Sequence, residues 1–123
     1  NLAFTLAKHL NKASEAVPYA ERAAARDPEN PAILDTLGVL YTETGELAKA
    51  EQTLERSLAT ATTAADRAAS LVHLAKVKLT LKDRLRARSL ADEAAALIAN
   101  DAVLQETYGG ELESLMQDLR RAE

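Results

Sequence analysis

The chain has 123 residues, 47% of them hydrophobic but only 3% aromatic, with no cysteine and a formal net charge of -4. That length is one domain, and the missing cysteines exclude disulfides, thiolate catalysis and Cys-based metal sites. The acidic balance argues against nucleic-acid binding, which needs a basic footprint, and no apolar run reaches the roughly 18 residues of a membrane span.

The apolar mass is mainly Ala and Leu, which with Glu, Lys and Arg are the strongest helix formers. An all-α fold follows, and Ala-rich helices with thin cores suit a layered stack. The first helix is expected near residues 1–10, ended by a Gly-free turn at His9-Leu10-Asn11-Lys12 in which Asn11 takes the left-handed conformation. The second covers 13–26 and should kink or start late at Pro18, because proline removes a helical hydrogen bond. Asp27-Pro28-Glu29-Asn30-Pro31 then breaks the chain, with Asn30 as N-cap and Pro31 as the first residue of a helix over 31–44.

Thr44-Gly45-Glu46 is a tight turn whose glycine suits a left-handed backbone, and a helix follows over 47–61. Thr63 caps the next, over 64–81. Lys82-Asp83 is a second Gly-free turn, leading to a helix over 84–99. Asn100-Asp101 ends that helix and begins a last one over 101–122, which Gly109-Gly110 should break or kink. In this last helix Leu104, Tyr108, Leu112, Leu115, Met116 and Leu119 can face inward, with Asp101, Glu106, Glu113, Gln117 and Arg120 toward water.

The chain repeats itself. Leu2, Ala3 and Leu6 fall on Leu37, Gly38 and Tyr41; Leu34, Leu37 and Gly38 fall on Leu71, Leu74 and Ala75; Ala50, Leu54 and Ser57 fall on Ala87, Ala91 and Ala94. One hairpin is expected three times, at about 1–28, 31–62 and 64–99, followed by a cap over 101–122. Gly38 and Ala50 are small where two helices cross, so their axes can approach to roughly 8–10 Å. A lone hairpin cannot bury both faces, so the units stack and the last helix closes the end.

The middle unit, with its Leu37-Gly38 pair, Tyr41, Gly45 and Ala50, resembles a tetratricopeptide repeat, and Asp27-Pro28 resembles the end of a preceding one. The third unit departs from the pattern, with Lys78 in place of the Tyr and Lys82 in place of the turn Gly. The resemblance implies a right-handed α-solenoid that binds a protein or peptide in a concave groove and carries no catalysis or cofactor. By register it nominates Phe4 and Lys8, then Asp35, Val39, Thr42 and Glu43, then Val72, His73, Lys76 and Thr80 as groove residues. Asp35 and Val39 stand where chaperone-binding members carry a two-carboxylate clamp, which speaks against that clamp here. The stretch from Ala20 to Gly38 is loosely similar to large bacterial repeat proteins of exopolysaccharide and surface-protein export, implying a bacterial cytoplasmic or periplasmic setting.

Chemistry beyond binding has little support. His9 and His73 have no partner at metal-ligand spacing, no serine sits in a nucleophile elbow, and Gly109-Gly110 lacks the Lys and hydroxyl of a phosphate loop. The cations Lys76, Lys78, Lys82, Arg84, Arg86 and Arg88 face only Asp83 in sequence. They either pair with the acidic cap helix or offer a site for an acidic peptide, phosphate or carboxylate end. The chain starts at Asn1, inside the first helix, so it is expected to be a piece of a longer protein. An alternative role is a spacer or self-assembly segment, docking through its exposed stack end.

Overall fold

The computed structural model describes the backbone of residues 2–122 and the side chains of residues 8–122. The described residues form six helices: α1 (Leu2–Arg26), α2 (Pro31–Glu43), α3 (Leu47–Thr60), α4 (Ala64–Thr80), α5 (Arg84–Ala99) and α6 (Ala102–Arg121). Among the described residues there is no strand. Each helix packs on the next, and α2 also touches α4, as α4 touches α6. The even-numbered helices therefore lie side by side in one layer, with α3 and α5 completing the hairpins α2–α3 and α4–α5.

The helix starts follow from capping chemistry. The Asn30 side chain accepts from the backbone N–H groups of Ala32 and Ile33, with Pro31 in the first turn. Thr63 accepts from the N–H of Asp66, and Asp101 accepts from those of Val103 and Leu104. Each bond satisfies donors that a helix start leaves without a partner.

Small residues hold the layers close. Ala50, Ala68, Ala75, Ala87, Ala91 and Ala94 are fully buried, beside Leu34, Leu54, Leu71 and Leu74. Leu104, Leu112, Leu115 and Leu119 of α6 are buried as well, and Tyr108 and Met116 pack on the same core. The final helix thus covers α5 and the flank of α4 with the leucines expected of it. Two buried hydroxyls join the first hairpin to the second. Ser57 Oγ donates to the Pro31 carbonyl at 2.9 Å and lies 2.6 Å from Ser70 Oγ. Ser57 has one proton, so Ser70 is the donor in that contact.

Three expected helix breaks are absent. No turn falls at His9–Lys12: α1 is a single helix, so two hairpins are present where three were expected. That break has only Asn11 as a local breaker, and Asn costs a helix only several tenths of a kcal/mol relative to Ala. Pro18 lies inside α1, so the helix does not start late there. Gly109-Gly110 does not end α6 either, where leucines buried on both sides of the pair hold the helix against α5 and outweigh about 2 kcal/mol of lost propensity.

Candidate partner-binding groove

The layer of α2, α4 and α6 carries a recess of about 260 Å³ lined by Val39, Thr42, Glu43, His73, Lys76 and Glu111. Its shape follows from how α4 is used. That helix packs against α2, α3, α5 and α6, so from Ala68 onward most of it is buried. What stays open on the groove side is a narrow strip, His73, Lys76 and Thr80, at the three- and four-residue spacing of one helix face. From α2, Val39, Thr42 and Glu43 face the strip. Glu111 closes it from α6.

A line of charge crosses all three helices. His73 Nδ1 lies 2.9 Å from Asp35 Oδ1, and His73 Nε2 lies 3.5 Å from Glu111 Oε2. A carboxylate only accepts, so Nδ1 holds a proton and donates it to Asp35. Lys76 Nζ donates to Glu111 at 2.9 Å. Burial works against ionising Glu111, but the hydrogen bond and charge of Lys76, with His73 beside it, outweigh this and hold its carboxyl below the usual range. The neighbouring Tyr108 phenol is pushed up by burial first and then by the charges of Asp35, Glu111 and Asp66. At the other rim, His9 Nε2 stands 3.6 Å from Glu43 Oε2.

The ten residues nominated from sequence separate clearly. Val39, Thr42, Glu43, His73 and Lys76 come together in the recess, and Asp35 joins through His73. Thr80 is exposed further along α4, its hydroxyl bonded to the Lys76 carbonyl. Lys8 is exposed on α1, and Phe4 lies outside the described side chains. Val72 is a correction: it is fully buried in the core, because α4 is flanked by four helices and only its narrow strip stays open.

Glu111 is not among the nominated residues, because in sequence α6 reads as a cap with one apolar and one solvent face. A signal for it exists. Asp35 and His73 are 38 residues apart, and the same step from His73 lands on Glu111.

Among the described residues no group of His, Asp and Glu could hold a metal ion, and no helix is long and apolar enough to cross a membrane. The family model for the tetratricopeptide repeat matches residues 9–75, more than half of the chain. A comparison with curated proteins returned no match.

Proposed function

The chain belongs to the tetratricopeptide repeat family, and from that premise we propose that it is a protein-interaction scaffold holding a peptide or protein segment in the recess of α2, α4 and α6. Repeats of this family commonly serve as interaction scaffolds. The observation that supports this reading is the convergence of Val39, Thr42, Glu43, His73, Lys76 and Glu111 on one recess.

The groups there suit a ligand of mixed charge. Lys76 spends one of its three N–H donors on Glu111 and keeps the others for an incoming carboxylate or carbonyl. Glu43 offers acceptors to an incoming cation. Val39 is half-buried and supplies apolar contact between them. A purely acidic tail fits poorly, because Asp35, Glu43 and Glu111 would repel it. No reaction is assigned to the chain.

A second reading, a spacer or self-assembly segment of a longer array, draws on α1. Among the described residues this helix packs on α2 alone and leaves Leu10 and Tyr19 exposed. A pull-down from the source organism, followed by titration of the recovered partners, separates the two. Lys76→Glu should slow association and change its salt dependence, because an exposed charge acts mainly on encounter. Val39→Asp should speed dissociation by placing an unpaired charge in the contact. Partners that bind both variants as they bind the parent would move the site away from this recess.

A further inference from the structure

The cations between Lys76 and Arg88 do not act as one cluster. Lys76 is taken up by Glu111, and Lys78 lies 2.7 Å from Glu51 and 3.3 Å from Glu55. The others gather where α5 begins. Asp83, the only acid between them, accepts from the backbone N–H of Arg86 as the N-cap of α5. Its carboxylate is therefore engaged with the helix start. Among the described residues no carboxylate comes within ion-pair distance of Lys82, Arg84 or Arg86.

The same end exposes hydrocarbon. Leu85 is 88% exposed and Leu81 is 41% exposed. Leu85 borders a second recess of about 280 Å³, with Arg84, Arg88 and Leu119 as its other walls. Its floor is apolar, since Leu119 is buried, and Arg84 stands at its rim. Arg120 adds positive charge at the end of α6, where Arg121 lies 3.5 Å from Asp118 Oδ1. On a chain of net charge -4 this end is locally basic, separate from the groove and sharing no residue with it.

We propose that the recess between Leu85 and Leu119 is a second docking site, for an acidic protein segment that seats one apolar side chain there while a neighbouring carboxylate meets Arg84, with Lys82 and Arg86 drawing the rest of the segment's negative charge to this end. The concave shape favours a protruding side chain over a flat surface. Arg84 at the rim favours a carboxylate beside that side chain, and exposed charge without an ion-pair partner, on Arg84 and on the flanking Lys82 and Arg86, raises the encounter rate at low salt. The site stands apart from the groove reading and does not depend on it.

A random peptide library panned on the full chain tests this directly. The expected result is an enriched class of acidic peptides sharing one leucine- or phenylalanine-sized residue. Their affinity should fall by about tenfold or more with Leu85→Ser and with Arg84→Glu, and weaken with salt. Leu85 is nearly all exposed, so its replacement leaves folding intact, as a melt would verify. Val39→Asp should leave these peptides bound, so the two sites are scored separately. The proposal is overturned if no acidic–apolar class appears, or if that class binds Leu85→Ser as it binds the parent. It is equally overturned if Leu85 matters only for binding phosphatidylserine vesicles or for self-association.

Discussion

A Cβ atom added to Gly38 would stand 2.4 Å from Cγ of Leu54, inside the hairpin that α2 and α3 form. Leu54 is fully buried and its branch carbon cannot swing aside. Even Gly38→Ala therefore forces the two helices apart. Overpacking costs roughly 1–3 kcal/mol, against about 1 kcal/mol recovered from helix propensity. Gly38→Ala should lower the melting temperature modestly and Gly38→Leu severely. Pairing Gly38→Ala with Leu54→Ala should cost less than the sum of the single changes, because the second makes room for the first. Strict additivity in thermal melts would mean that the two residues do not meet.

The two hairpins turn through the same left-handed residue with different chemistry. Gly45 has φ of 84° and Lys82 has φ of 67°. Glycine takes that conformation without cost, whereas a residue with a Cβ gives up roughly 1 kcal/mol. Lys82→Gly should stabilise the chain by up to about 1 kcal/mol, net of the added freedom of the unfolded state. Gly45→Ala should destabilise it by a similar amount. Chemical denaturation of both variants checks the pair, and equal signs would contradict the shared geometry.

Tyr41 makes stability fall at high pH. Burial, the hydrogen bond to Glu21, and the charges of Glu21 and Glu46 push its phenol from 10.0 up to about 12. Below pH 10 the group is neutral in both states and its contribution is fully present. Between pH 10 and 12 the unfolded chain sheds the proton first, so stability drains away by on the order of 2 kcal/mol. Lys78, raised first by its hydrogen bond to Glu51, loses its contribution in the same direction above 10.5. The tyrosinate absorbance of the parent minus that of Tyr41→Phe should appear near pH 12. A difference spectrum rising near pH 10 would place Tyr41 in water.

How legible the molecule was depended on the kind of signal. Asn30-Pro31, Gly45, Thr63 and Asp101 each carry a local chemical reason for a helix end, and each end lies where that reason puts it. The leucines of α6 were readable because one stripe must find a core. Asn11 misled for the opposite reason, and Pro18 and Gly109-Gly110 leave their helices unbroken: tertiary packing and neighbouring residues decide whether a weak breaker breaks. Half of the nominated groove residues came together because α2 and α4 share a register. Val72 was misplaced and Glu111 missed because burial on α4 depends on α6, which lies outside the repeat used for the register.

If the chain is a scaffold as proposed, its partner lies against the recess of α2, α4 and α6. The most direct measurement replaces Thr42, on the recess wall, with a photoreactive benzophenone amino acid and maps the cross-links to partners by mass spectrometry. A matched probe replaces Gln52, exposed on α3. The expected result is that the Thr42 probe captures a segment of mixed charge, that Lys76→Glu reduces this capture, and that the Gln52 probe captures none of it. Capture from Gln52, with none from Thr42, would contradict the account.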